Sequence, residues 1–171
     1  MSPSGLVGAH ERGGEETAFY DPANATNPPR AYNCAVEVDP DTAKVDVVTD
    51  IAADDFGNVL NPMIVEGQNH GSIAQGVGQA MFEAIVYSED GQLLTSTMMD
   101  YSIPHATDMP PMTLGRVVSP APSNPLGAKG SGEAGCIGAP PAIVNAALDA
   151  LRPHGVTHID MPLTPYRVWS A

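Results

Sequence analysis

Basic side chains are scarce in this sequence: seven Lys and Arg stand against 20 Asp and Glu, a formal net charge of -13. That balance repels phosphate backbones and anionic lipid headgroups, so neither a nucleic-acid nor a membrane partner is expected. Cysteine is nearly absent too. Cys34 and Cys136 stand about a hundred positions apart without CxxC or Cys/His spacing, which signals neither a disulfide framework nor a zinc site. No run approaches the ~18 consecutive apolar residues of a membrane span, and residues 1–20 have neither a basic n-region nor an apolar h-region. The expectation is a protein of the reducing cytoplasm with no export signal. Aromatics make up only 5% of the chain while Gly and Pro number 17 each, so turns and tight loops take much of its length.

What is there reads as globular. Apolar residues are 43% and charged residues 16% of 171, a composition outside the disordered class. A chain of that length supports one core burying roughly 70% of its unfolded surface. Residues 1–30 mix Gly, Pro, Asn, Glu and Thr without a period and read as an extended lead-in to one domain over 31–171. From Ala31, the alternation of Tyr32, Cys34, Val36 and Val38, a polar turn over 39–44, and the alternation of Val45, Val47, Thr49 and Ile51 predict a β-hairpin that runs into a loop at Asp54-Asp55-Phe56-Gly57-Asn58.

Asn61-Pro62 has the chemistry of a helix start, an Asn N-cap followed by Pro at the first helical position, and apolar spacing predicts a helix over 62–83. Gly67, Gly71, Gly76 and Gly78 each cost that helix about 0.8–1 kcal/mol relative to Ala. Either another backbone packs closely on the glycine face or a ligand approaches it; periodicity favours packing. A second short hairpin is expected over 85–94, loop over 98–111, a strand over 114–118, a helix opening at Pro140-Pro141 and stopped by Pro153, a short strand near 157–159 and a last helical turn over 164–169. The fold class is α+β: hairpins and short mixed strands packed against one long Gly-bearing helix and a shorter C-terminal one.

Two segments could carry chemistry. The first is Gly127-Ala128-Lys129-Gly130-Ser131-Gly132-Glu133-Ala134-Gly135, where free backbone N–H groups ahead of a helix suit an anion and make Lys129, Gly130, Ser131 and Gly132 candidate cofactor-binding residues. It is not a P-loop, since Lys129 precedes the Gly-Ser-Gly run. Glu133, a lone acid among small residues, is either a solvated turn residue or a carboxylate that a substrate can reach, suited to general-base work. The second segment lies on the Gly-rich helix, where Gln68, Asn69, Gln75 and Gln79 offer amides that both donate and accept. His10, His70, His105, His154 and His158 show no ligand spacing, so no protein-held metal is expected. Met98-Met99 and Met109 to Met112 read as core or interface filler.

Taken together, Asp54-Asp55-Phe56-Gly57-Asn58-Val59-Leu60-Asn61-Pro62, Val65-Glu66-Gly67-Gln68-Asn69-His70-Gly71, Gln75-Gly76-Val77-Gly78-Gln79-Ala80, Met99-Asp100-Tyr101 and the run from Pro122 to Gly135 resemble the molybdenum hydroxylase family. More narrowly, residues 18–171 are similar to the C-terminal part of the large subunit in carbon monoxide dehydrogenase-type and aldehyde oxidase/xanthine dehydrogenase-type enzymes. The resemblance implies a molybdopterin cofactor, in its cytosine dinucleotide form, carrying molybdenum. It implies that Glu133 is the general base at a molybdenum-bound hydroxyl whose water-derived oxygen is passed to a carbon centre of an aldehyde, carbon monoxide, a purine or an N-heterocycle. Gln68 matches the family glutamine that hydrogen-bonds the cofactor, and Gly67 would let the helix come close to it. In the family the large subunit is several times longer, and iron–sulfur clusters and FAD sit on partner domains or subunits. Two cysteines cannot hold a cluster that normally takes four, so this chain is expected to act with the remainder of the molybdenum subunit, an iron–sulfur subunit and an FAD subunit, and not to turn over small-molecule substrate alone. Two other readings stay open: a non-catalytic binding module of the same descent, and a separate enzyme using Glu133 on another small ligand.

Overall fold

The computed structural model of the chain describes residues 17–21 and 24–171. The expected lead-in falls partly outside those residues; its described remainder, 17–21 and 24–29, contains no helix or strand. Three strands and three helices follow: β1 (Arg30–Val38), β2 (Val45–Asp55), α1 (Pro62–Met81), β3 (Met112–Val117), α2 (Ala134–Leu151) and α3 (Pro165–Ser170). This is the α+β class expected.

β1 and β2 pair antiparallel from Val38↔Val45 to Arg30↔Asp54, with Val48 as an extra residue where the register shifts. Their turn closes because Asp39 Oδ1 accepts the N–H groups of Asp41 and Thr42 at 2.8 and 3.2 Å, an Asx-type turn. β3 joins the other edge of β2 in parallel, Asp50↔Met112 to Asp55↔Val117, so α1 and the loops around it serve as the long crossover that parallel pairing demands. One face of the sheet carries Tyr32, Cys34, Val36, Val38 and Ala52 against the helices, and the other shows Ile51 to solvent. The core continues through Ile73, Val77 and Ala80 of α1, Ala139, Ile143 and Ala147 of α2, and Leu163 and Val168 near the C-terminus.

α1 begins as its sequence requires: Asn61 Oδ1 accepts the Ile64 N–H at 3.3 Å, and Pro62 takes the first helical position. Four expectations are corrected. The strand reaches Asp55, so Asp54 and Asp55 belong to β2 and are buried, Asp54 paired on both sides and Asp55 with β3. The second hairpin reduces to one bridge, Tyr87↔Leu93, in a segment too short and exposed to support strands. No strand forms at 157–159, which has no strand partner in the sheet. Finally α2 starts at Ala134, six residues ahead of Pro140, and runs through both prolines.

Interior proline removes an i→i−4 hydrogen bond and ordinarily costs about 3 kcal/mol. Here tertiary packing overrides that preference: Ala139 Cβ and Pro140 Cδ lie 2.9 Å from where a Cβ on Gly76 would sit, so the two helices meet with nothing between them. α2 is long and apolar enough to cross a membrane by length and composition, yet its Ala139, Ile143, Ala147 and Leu151 stripe is spent on this core.

Candidate functional site

β2 ends at Asp55, and the Gly-rich segment is built from there. Asp55 Oδ1 accepts the N–H groups of Gly57 at 2.9 Å and Ser119 at 3.0 Å, and its Oδ2 receives the Lys129 ammonium at 2.7 Å. This ion pair is enclosed, with the Lys129 and Asp55 side chains 11% and 5% exposed. The Lys129 hydrogen bond holds the Asp55 carboxyl below its ordinary value against the opposing effect of burial. Asn58 completes the tie: its N–H donates to Gly127 O at 3.0 Å and its amide to Leu126 O at 2.9 Å, while Lys129 N–H returns to Phe56 O at 2.9 Å. Gly127 sits at φ 64, a left-handed conformation suited to glycine. The loop is thus fastened up to Lys129, and residues 130–133 lead from that anchor into α2.

Glu133 is the residue preceding α2, exposed, and its carboxylate makes no capping bond to the helix. It is free for other partners. Lys129, expected at the cofactor through its position in the loop, has its side chain anchored on Asp55. Gly130 and Gly67 have no described atom within 4 Å of an added Cβ, and neither has Gly71. A Cβ on Gly132 would lie 3.9 Å from Gln68 Nε2. One turn further along α1, Ser72 Oγ accepts the Gly135 N–H at 3.0 Å, and one turn beyond that Gly76 meets Ala139. Gln68, Ser72 and Gly76 lie on one helix face, and that face guides residues 132–139 alongside it in the same sense. The structure therefore brings Gln68 to Gly132, with Gly67 beside the one and Gly130, Ser131 and Glu133 beside the other in the chain, along an exposed edge.

The other amides divide. Asn69 is buried and donates to Asp54 Oδ2 at 2.8 Å, where Tyr32 OH also donates at 3.1 Å, so it belongs to the seam between sheet and helices. Gln75 and Gln79 are exposed. His70 Nδ1 lies 2.9 Å from Glu66 O, and His105 and His158 pair with Asp108 and Asp160. Among the described residues no group of three or more His, Cys, Asp or Glu could hold a metal ion. Sequence reasoning missed Arg30, whose Nη1 donates to Glu133 O at 3.3 Å and Ala134 O at 3.1 Å. The signal was available: in a chain with seven basic residues, an isolated Arg opening a strand needs a reason.

A family model described as a molybdopterin cofactor-binding domain matches residues 6–110, more than half of the chain. The chain belongs to the molybdenum hydroxylase family. Its relatives include the carbon monoxide dehydrogenase large chain of Hydrogenophaga pseudoflava, 41% identical over 169 residues, which are 99% of this chain and 20% of that one. The nicotine 6-hydroxylase large subunit of Paenarthrobacter nicotinovorans is 37% identical over 92% of this chain and 19% of its own. Among solved structures, a Cu,Mo-CO dehydrogenase in its carbon monoxide reduced state superposes with a TM-score of 0.86 at 38% identity, covering 90% of this chain and 19% of that one. Quinoline 2-oxidoreductase from Pseudomonas putida 86 gives 0.77 at 43% identity, over 79% and 17%. The chain therefore spans about a fifth of the length of the curated relatives it matches.

The residues at the open edge fit a molybdopterin in kind. Gly67, Gly71 and Gly130 leave room that a Cβ would occupy, Gln68 supplies an amide that donates and accepts, and the segment 130–133 lies outside any helix or strand.

Proposed function

We propose that this chain forms the part of a molybdenum-dependent hydroxylase or dehydrogenase that carries the general base and one wall of the cofactor site. Residues 31–171 are the unit that does so, with 1–30 leading into it. The observation that supports the reading most is the convergence of Gln68 with the Gly130–Glu133 segment, through the 3.9 Å approach of Gln68 Nε2 to the Gly132 Cβ position. Gln68 would hydrogen-bond the cofactor, the bare backbone of Gly67 and of Gly130 to Gly132 would let it approach, and Ser131 adds a hydroxyl. When bound, the cofactor supplies two-electron redox chemistry and a site at which water can be activated. Glu133 would take the proton as water's oxygen is transferred to the substrate carbon, because its carboxylate makes no capping bond to the helix and the residue directly follows Gly132, which approaches Gln68.

The substrate is a small molecule with an electrophilic carbon: an aldehyde, carbon monoxide, a purine or an N-heterocycle. The relatives' names span carbon monoxide, nicotine and xanthine chemistry, in keeping with a pocket whose specificity resides elsewhere. The remaining partners are a larger piece of molybdenum subunit and iron–sulfur and FAD chains, and the cofactor is the cytosine dinucleotide form, which the nucleotide released on acid treatment identifies. Leu60, Met63 and Ile64, 74%, 77% and 63% exposed at the start of α1, give such a partner an apolar surface to cover.

The test is Glu133→Gln in the assembled enzyme. Turnover should fall by at least ~1,000-fold with molybdenum content unchanged, since the shape is kept and the base removed. Normal turnover would remove Glu133 from the mechanism. Gln68→Ala should lower cofactor occupancy, and full occupancy would withdraw its assignment.

A further inference from the structure

Glu133 lies at the start of a helix turn with an unusual deficit. Pro140 and Pro141 have no N–H, so the carbonyls of Cys136 and Ile137, four residues back, lose two consecutive helical rungs. The turn 134–137 is consequently joined to the rest of α2 by fewer bonds than an ordinary first turn. Three contacts from outside the helix hold it. The Arg30 guanidinium donates through Nη1 to Glu133 O at 3.3 Å and Ala134 O at 3.1 Å, while its Nε and Nη2 donate to Pro28 O at 3.4 and 3.3 Å. Ser72 Oγ accepts the Gly135 N–H at 3.0 Å. Gly135 itself presses on Ser72 and the backbone N of Ile73, where any Cβ would collide.

We infer that Arg30 and Ser72 are positioning residues for the Glu133 carboxylate: they hold from outside a helix turn that the proline pair leaves under-bonded from within. The inference rests on the reading of Glu133 as the base. Arg30 suits the task because it is always charged and carries several donors in a fixed plane, so one side chain bridges the approach to β1 and the start of α2. Ser72 does the complementary work, accepting an N–H that the first turn of a helix cannot satisfy internally. Both residues grip the backbone of 133–135, and neither forms a hydrogen bond with the Glu133 carboxylate. Their effect on turnover would run through where Glu133 is held, and a displacement of about 1 Å can cost up to ~100-fold in rate.

The first measurement is amide hydrogen exchange over residues 133–139 in the full protein, comparing wild type with Arg30→Gln, Arg30→Lys and Ser72→Ala. Exchange at Gly135 to Ile137 should quicken about tenfold in Arg30→Gln and in Ser72→Ala, the size expected when one hydrogen bond is lost from a local opening. Arg30→Lys, able to reach one carbonyl, should recover part of the protection. The second is steady-state kinetics of the loaded assembly, where kcat should fall ~10–100-fold in Arg30→Gln with KM unchanged. Wild-type exchange in both Arg30→Gln and Ser72→Ala overturns the inference, as does an unchanged kcat. Should Arg30→Gln fail to fold, Ser72→Ala carries the same two readouts from the other contact. The two readings fail separately: full turnover in Glu133→Gln discards the base while the exchange result on Arg30 and Ser72 still stands or falls alone.

Discussion

The two halves of α1 use glycine for opposite ends. In the C-terminal half, Gly76 gives up its side chain so that Ala139 and Pro140 can press to within 2.9 Å of the Cβ position, and a Cβ on Gly78 would meet Glu83. In the N-terminal half, Gly67 and Gly71 face space in which no described atom comes within 4 Å of a Cβ. Each carries the same intrinsic penalty in a helix. Only the first kind is repaid by packing within the fold; the second leaves open the face on which the proposed cofactor site is built. The same division runs through the carboxylates. Glu133, at the open half, is exposed, whereas Asp50 and Asp54 are fully buried beneath the helices, and neither Asp50 oxygen has a hydrogen-bond partner.

Substitutions separate the two halves. Gly135→Ala should do the most damage, because its Cβ would strike Ser72 Oγ and the Ile73 backbone; about 3 kcal/mol lost in urea denaturation is expected. A loss under about 1 kcal/mol would show that the helix pair has room to part. Gly76→Ala should cost about 1–2 kcal/mol, the overpacking being offset in part by better helix propensity.

Asp50 tests the closed half by pH. Burial pushes its carboxyl from the ordinary 3.8 up to about 6. The unfolded chain therefore ionises first as pH rises, and stability falls between about pH 4 and pH 7, by up to about 3 kcal/mol from this group. The groups facing it from β1 are the Cys34 thiol, itself pushed up to about 12 by burial, and the Tyr32 phenol, pushed up by burial and by Asp54. Asp50→Asn should raise stability at pH 8 by about 1–2 kcal/mol, leaving some cost for its unpaired amide, and by nothing at pH 4. An equal gain at both pH values would mean that charge is not the source. Asp55 works the other way, since its lowered carboxyl contributes stability that is lost as pH falls.

Gly67→Ala should have the smallest effect on folding and the sharpest on function. The described fold should gain up to ~1 kcal/mol from helix propensity, while molybdenum uptake by the assembled enzyme should fall. Undiminished uptake would show that the open face is not where the cofactor lies.

Much of this was legible beforehand because it is local. The hairpin alternation, the Asn61-Pro62 helix start and the last helical turn after Thr164 are written in neighbouring residues. The start of α2 was not, because Pro140-Pro141 argues locally for a helix beginning there, and only the docking of Gly135 and Ala139 on α1 carries it back to Ala134. At the site, Gln68 and Glu133 stood out through the company they keep. Lys129 stood out for its place in the Gly-rich loop; that its charge answers Asp55, 74 positions away, no periodicity announces. The one signal of Arg30 was its scarcity, and its partner was hidden for the same reason, lying 103 positions away.

Those separations also order the assembly of the protein in time. The β1–β2 hairpin closes through neighbouring chain, but the Lys129–Asp55 pair and the parallel seating of β3 on β2 must wait until the intervening chain has been drawn together, and such long closures come slowly. A chain emerging from the ribosome would hold its hairpin and α1 before residues 130–133 have emerged to be fastened to them. The segment proposed to meet the cofactor is thus among the last to take shape.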